Sequence, residues 1–519
     1  MTKNSLTLRS KQKTMRPVLI AVAALFLIQC KNTAPAAPDA ETEATGEYTL
    51  QAPEDIPFRA LHDAHDLFRE STITQRRFKH SDIEPLIQRL EKPFQVKKAG
   101  ESIEGRAIYR VSIGTGPMQV LLWSQMHGDE STATMALMDI FNFFSASGDE
   151  FDDFRQKLQE KLTITFIPML NPDGAEKYQR RNALGIDLNR DAVRLQCPES
   201  RILKDIRDEL DADWGFNLHD QSRYYSAGRN PKTATISFLA PAYNYEKDVN
   251  EVRGNAMRMI GIMNSILQEY IPGKVGKYDD TFEPRAFGDN IQKWGTSTIL
   301  IECGGLEDDP EKQYIRQLNF VSLLSCFDAI ASKSYEGVGM ADYEQIPFND
   351  GSNFFDVLVR QAEVEFEKGW YTLDIGIRRS EIEYNDHRDF YYKGSISDWG
   401  DLSIFYGYDE IEAAGYRALP GKAYPTVVQN LDALKKMDIT DLLAQGYTDV
   451  RLREMPGRRK HFPVNLIAAN RSPNNDIYLY GNPTFVLQRD GNIRYAVVNG
   501  FAYDLEEGRE VIRQIVAEF

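Results

Sequence analysis

The sequence predicts an α/β fold: a mixed, twisted sheet flanked by helices on both faces, plus a β-rich C-terminal domain. Three observations predict it. Between residues 94 and 332, short apolar runs alternate with amphipathic helical stretches, the pattern of a sheet buried on both faces. His127, His219 and Glu302 each stand just after such a run, where open sheets gather their chemistry. Beyond Gly337 the texture turns to β runs punctuated by Asp490-Gly491 and Asn499-Gly500, both hairpin-turn pairs.

Taken in order, the first 29 residues carry five cations (Lys3, Arg9, Lys11, Lys13, Arg16) and no acids, followed by the apolar stretch Val18 to Ile28. That stretch is too short to span a bilayer and suits a signal-peptide core. Its end, Leu27-Ile28-Gln29-Cys30, resembles a bacterial lipobox, which implies a lipidated Cys30 and an outer-membrane lipoprotein facing periplasm or exterior. Gln29 departs from the small residue usual there, and cleavage after Ala34-Pro35-Ala36 is the alternative. Residues 30–57 read as a disordered tether, 58–337 as an α/β domain and 338–519 as a β-rich domain of unknown role. The net charge is −16, and loss of the basic leader would leave −21. Such a surface repels phosphate backbones, so nucleic acid is excluded as a partner, and membrane contact is expected only through the lipid anchor.

The expected strands are Phe94 to Lys98, Ala107 to Ile113, Gln119 to Trp123, Leu162 to Pro168, Asp213 to Leu218 and Thr298 to Ile301. Expected helices run Ile83 to Leu90, Thr132 to Phe144, Glu199 to Leu210, Val249 to Tyr270 and Tyr314 to Ser332. In the C-terminal part, strands are expected at Phe354 to Val359, Ala362 to Phe366, Tyr371 to Ile377, Asp389 to Lys393 and within Thr484 to Tyr503, with a last helix from Leu505 to Phe519. The stretches DVLVRQAEV…LDIGIRRSEI and NPTFVLQRDGNIRYAVVNG weakly resemble the small sandwich flanking the barrel of metal-dependent amidohydrolases. That family's barrel and His-x-His are absent here. Cys197, Cys303 and Cys326 read as buried free thiols.

His127-Gly128-Asp129-Glu130 opens the chemistry: a His and a carboxylate three apart at a helix start share one face and can reach one cation. Imidazole with carboxylate suits zinc, whose catalytic sites keep three protein ligands. Further pieces follow in order: Asn171-Pro172-Asp173-Gly174, Arg180-Arg181-Asn182, Asp187-Leu188-Asn189-Arg190, His219 and Glu302. With Gly100-Glu101-Ser102-Ile103-Glu104-Gly105-Arg106 before them, they clearly resemble the M14 family of zinc carboxypeptidases over residues 60 to 335.

The resemblance implies a carboxypeptidase-like sheet and one Zn2+ held by His127, Glu130 and His219. It implies that Glu302 is the general base that activates the zinc-bound water and passes its proton to the leaving amine. Arg180 matches the oxyanion cation, with Arg181 as the alternative, and Asn189 with Arg190 matches the clamp on a terminal carboxylate. Asp220 is expected on the surface or orienting the His219 imidazole. Tyr278 is the nearest candidate for the family's mobile tyrosine, and Arg285 and Phe287 lie where side-chain specificity is set. His62, His65, His80, His387 and His461 are expected to be structural.

Asp129 replaces an Arg of the digestive enzymes, and His-Gly-Asp-Glu resembles bacterial members acting on cell-wall peptides. The leading expectation is a metallocarboxypeptidase taking C-terminal residues from peptides. The alternatives are a γ-D-glutamyl-diaminopimelate-type amidase acting on cell-wall peptides, an N-acyl amino acid deacylase, and a non-catalytic binding lipoprotein.

Overall fold

The computed structural model describes residues 56–457 and 462–506. The expected signal segment, Cys30, the tether up to residue 55, His461 and the expected last helix from 507 onward lie outside the described residues. Among the described residues no helix is long and apolar enough to cross a membrane.

The first nine strands are β1 (Gln95–Glu101), β2 (Ala107–Ile113), β3 (Met118–Ser124), β4 (Leu162–Ile167), β5 (Trp214–Asp220), β6 (Ser226–Ala227), β7 (Ile236–Leu239), β8 (Val275–Lys277) and β9 (Ser297–Cys303). All but β6 form one sheet in the order β1-β2-β4-β3-β5-β9-β7-β8. The inner run β4-β3-β5-β9 is parallel, while β1, β2 and the β7–β9 pairing are antiparallel. The expected mixed sheet is therefore present. Its continuous apolar strands follow from cover on both faces. In β3, Val120 and Leu122 pack with Phe141, Phe166 and Phe320 on the side of helices Thr132–Ser145, Glu251–Leu267 and Gln313–Ser332. Leu121 and Trp123 point the other way, onto Leu203, Ile206, Phe287 and Ile291 of helices Pro198–Leu210 and Phe287–Lys293.

Sequence periodicity missed helix Asp152–Lys161 and the short strands β7 and β8. β8 has only three residues, Val275-Gly276-Lys277, too few for a periodicity. One polar contact set is buried in the helical layer: Arg316 meets Asp139 with both side chains fully enclosed. His65 Nε2 lies 2.9 Å from Asp139 Oδ2, and Arg316 also donates to the Ile73 carbonyl at 2.6 Å. These bonds fasten the segment before β1 to two helices.

The later strands are β10 (Asn349–Asp350), β11 (Phe354–Phe366), β12 (Gly369–Tyr384), β13 (Asp389–Gly400), β14 (Tyr406–Glu412), β15 (Arg417–Pro420), β16 (Lys422–Ala423), β17 (Tyr447–Leu452), β18 (Asn465–Ala468), β19 (Phe485–Arg489), β20 (Asn492–Val498) and β21 (Phe501–Asp504). Eight of them make a second sheet, β13-β12-β11-β15-β19-β20-β21 with β14 also on β11, and β16-β17-β18 form a small parallel sheet. This differs from the sandwich suggested by the sequence likeness. The two strands expected at 354–359 and 362–366 are one, β11, interrupted by a register shift between Val359 and Ala362 where Gln361 has φ 55°. Both turn pairs hold: Asp490-Gly491 and Asn499-Gly500 take positive φ throughout, as a type I′ hairpin demands.

The second sheet is bonded to the first region through Asp356 of β11, whose side chain is fully enclosed. It meets Arg223 at 2.5 Å and Arg379 at 3.2 Å, and accepts from the Tyr224 hydroxyl at 2.8 Å. Arg223 and Tyr224 follow β5, so this contact grips the loop beyond His219. Burial alone would raise the Asp356 carboxyl, yet the two guanidinium groups hold it below the usual carboxylate range. A lowered native pKa gives stability that is present above the unfolded value and lost as pH falls through the native one. Asp356→Ala should leave two arginines uncompensated and cost about 3–5 kcal/mol. Urea unfolding at pH 7 checks this, and the gap between variant and wild type should shrink below about pH 4.

Candidate metal centre and its surroundings

Three chain segments converge at the carboxyl ends of the parallel strands. β3 leads into the loop carrying His127 and Glu130, β5 ends on His219 and Asp220, and β9 carries Glu302. β5 and β9 pair in parallel with His219 opposite Glu302, so the register sets these two side by side. The loop after β3 turns tightly against the N-P-D-G segment: a Cβ on Gly128 would lie 2.0 Å from the Gly174 backbone. Only glycine fits there.

The remaining motifs brace this turn. Asn171 accepts from Gly174 N at 2.9 Å and donates to the Met126 carbonyl at 3.2 Å. Asp173, fully enclosed, accepts from Ser102 Oγ at 2.7 Å, Glu104 N at 2.9 Å and Arg106 at 2.7 Å. The G-x-S-x-E-G-R segment thus serves the loop rather than the chemistry. Asn182 is a turn residue whose side-chain Oδ1 accepts from Leu184 N and Ile186 N.

His127, Glu130 and His219 form the one group among the described residues able to hold a metal ion, with one ligand atom from each lying within 4.8 Å of the others. His127 Nδ1 is 2.8 Å from Glu130 Oε1, His219 Nδ1 is 2.6 Å from Glu130 Oε2, and the two Nδ1 atoms are 3.1 Å apart. Donors about 2.0–2.1 Å from a tetrahedral zinc stand about 3.3 Å from one another, so this set fits zinc closely. Two imidazoles and a carboxylate are a donor set that suits a single zinc ion. The surrounding charge points the same way. Enclosed oxygens of Asp129, Asp220 and Glu302 have no hydrogen-bond partner among the described residues.

Electrostatics separate the groups. Burial opposes the imidazolium of His127, but Glu130's charge and the bond to Asp187 lift it to about 9. His219 is lowered by burial, against the pull of Glu130. Glu130 resists burial because both imidazoles hold it far below the carboxylate range. Burial and the charge of Glu130 push Asp129 up to about 6 and raise Glu302 well above an ordinary carboxyl.

One assignment made from sequence changes, and one residue is added. Asp220 does not reach the His219 ring: its carboxylate accepts from Thr132 Oγ1 at 2.6 Å and pairs with Lys312 at 3.1 Å. The residue that sets an imidazole is Asp187, which opens the D-L-N-R motif and was given no role from sequence. Its Oδ1 lies 3.1 Å from His127 Nε2 and accepts from Asn189 N at 2.9 Å. The signal was available: a carboxylate in a motif that follows the ligands is a candidate for the outer nitrogen of a ligand histidine.

Arg180, half-exposed, lies in the cluster, with Nη1 3.4 Å from Glu130 Oε1 and Nη2 3.0 Å from Asp187 Oδ2. Arg181 points elsewhere and donates to the Gly185 carbonyl. Asn189 accepts from Phe287 N at 2.9 Å, while Arg190 approaches Glu283 at 3.4 Å. Tyr278 follows β8, edge-on to Tyr225, and burial with the nearby charge of Glu302 pushes its phenol far upward. Arg285 is exposed and held by Glu283 at 3.2 Å. His62, His65, His80 and His387 have partners elsewhere: the Tyr270 ring, Asp139, the Ala107 carbonyl and Glu383. Cys197, Cys303 and Cys326 are free and buried.

The zinc carboxypeptidase family model, Peptidase_M14, matches residues 83–235. Carboxypeptidase 2 of Trichophyton tonsurans is 23% identical over 274 residues, covering 52% of this chain and 46% of that relative. Probable carboxypeptidase 2 of Arthroderma benhamiae is 27% identical over 275 residues, covering 52% of this chain and 47% of that relative. The chain thus spans about half the length of the curated relatives it matches. A solved metallo-carboxypeptidase from Burkholderia cenocepacia is 18% identical, with a TM-score of 0.41 over 49% of this chain and 69% of that one.

His219→Ala should abolish stoichiometric zinc, read by metal analysis of the purified protein. Asp187→Asn should keep the fold and weaken zinc by about 10–100-fold, measured by competition with a chelator.

Proposed function

We propose that this chain removes C-terminal amino acids from peptides, a reading supported by the match of the zinc carboxypeptidase family model to residues 83–235. The observation that carries this reading is the convergence of His127, Glu130 and His219 on one point, with Glu302 opposite His219 in the β5–β9 register. Zinc held by those three residues would supply a Lewis acid for the scissile carbonyl and the attacking water.

The chain's own residues perform the rest. Glu302, with an enclosed oxygen that lacks a partner among the described residues and a proton affinity raised by burial, takes the proton of the attacking water. It then hands that proton to the departing amine nitrogen, so that amine and new carboxylate leave in balance. Arg180 offers its guanidinium to the oxygen on which charge develops. Asn189 and Arg190 receive the terminal carboxylate, for which Arg190 exchanges its contact with Glu283. The Tyr278 phenol stays protonated and is a donor near Glu302.

A second reading, cleavage of cell-wall peptides of the γ-D-glutamyl-diaminopimelate type, is favoured by Asp129. Its carboxylate beside Glu130, with one enclosed oxygen that has no hydrogen-bond partner among the described residues, would attract a cationic substrate group. Export and attachment through a lipid on Cys30 belong to the same proposal, supported by the basic leader, the apolar run and the lipobox-like end in the sequence.

Zinc-loaded protein offered free-carboxylate peptides should release single C-terminal residues, followed by mass. Glu302→Gln should bind zinc normally and lose about 10²–10⁴-fold in kcat; retained turnover would remove Glu302 from the proton path. Release from wall peptides alone would select the second reading. Arg190→Ala should raise KM about tenfold or more for free-carboxylate peptides and leave amidated ones unaffected.

A further inference from the structure

We propose that the β12–β13 hairpin of the C-terminal sheet is a positioning device for Arg180, so that the β-rich region takes part in catalysis. The inference rests on the reading of Arg180 given above. Arg180 is reached through Tyr178, a non-glycine residue in the left-handed region at φ 44°. Such a conformation is strained for a residue with a side chain and persists only where its surroundings hold it. Two residues on, the Arg180 side chain meets Glu130 and Asp187.

What holds Tyr178 is a pair of buried arginines. Arg76 Nη1 donates to the Tyr178 hydroxyl at 2.8 Å, and the Arg77 guanidinium lies 3.9 Å from the centre of its ring. The same two guanidinium groups lie 5.1 Å and 4.9 Å from the Phe390 ring of β13. Glu381 of β12 pairs with both, meeting Arg77 at 2.7 Å, and Glu383 meets Arg77 at 3.1 Å. Among the described residues, the carboxylates on Arg77 are therefore those of the hairpin. Arg76 is held further by Glu311, which accepts from its backbone N at 2.9 Å, and by the Pro310 carbonyl. On its inner side Arg76 is tied to the metal-binding loop: Ser131, next to Glu130, donates to the Arg76 carbonyl at 2.6 Å.

The arginine layer is thus clamped between the hairpin and the two segments that carry Glu130 and Arg180. Buried guanidinium groups need their counter-charge, so removing the Glu381 charge loosens the stack that fixes Tyr178. Glu381, Phe390 and Tyr178 touch no reacting atom in this scheme and act through Arg180.

The test uses the zinc-loaded full chain with Glu381→Gln, Arg180→Ala and the double variant, and Glu363→Gln as control. Glu363 pairs with exposed Arg417 at the opposite end of the same sheet. Glu381→Gln should lower kcat about tenfold with KM and zinc content unchanged, and should lower it less than about twofold once Arg180 is already alanine. Equal losses in both backgrounds, or none in either, would overturn the proposal. Hydrogen exchange supplies a readout that needs no turnover. Amides of residues 174–182 should exchange several-fold faster in Glu381→Gln, those of β4 should not change, and Glu363→Gln should match wild type. If the wild-type chain cleaves no peptide, the proposed function falls and exchange alone decides. Unchanged protection at 174–182 would then overturn the hairpin's role, and faster exchange would sustain it.

Discussion

The parallel pairing of β5 with β9 is the constraint on which the site depends. It sets His219 and Glu302 opposite each other at the carboxyl end of the sheet, while β3, the other neighbour of β5, delivers His127 and Glu130 to the same edge. A slip of one residue would turn either side chain to the opposite face, since strand side chains alternate. Such a slip is costly because both faces are packed: Trp214, Phe216 and Leu218 fill the larger core, and Gly215 sits against Thr296 and Trp123 on the other face. Ordinary apolar packing therefore fixes the geometry of the metal-binding residues.

Around that edge, polar residues work in layers. Asp187 joins the outer nitrogen of His127 to the guanidinium of Arg180, coupling a candidate metal ligand to the neighbouring cation. Asp173 ties the segment after β4 to the loop between β1 and β2, which keeps Gly174 against Gly128. Several motif residues are thus structural, although they travel with the chemistry in sequence.

The β-rich region joins the first at two places near the site. Asp356 holds the loop after His219, and the β12–β13 hairpin holds the arginines beneath Tyr178. Both contacts bury charge in paired form, so each partner depends on the other. The same pairing makes the two regions poor candidates for independent motion at those points.

By itself the sequence determined the alternation of strands and helices, the His127, Glu130, His219 and Glu302 set, and both turn pairs in the C-terminal sheet. Those signals are local: apolar periodicity, short spacing within a motif, and the φ requirements of Asn-Gly and Asp-Gly turns. Short strands such as β7 and β8, the continuity of β11 across its bulge, and the roles of Asp187 and Asp220 were decided by tertiary structure. Each depends on partners far along the chain: β7 on β9, Asp220 on Thr132 and Lys312, and Asp187 on His127. Glu381 marks the limit of local reading. Nothing in its neighbourhood along the chain links it to Arg77, 304 residues away, and only the folded sheet brings the two charges together.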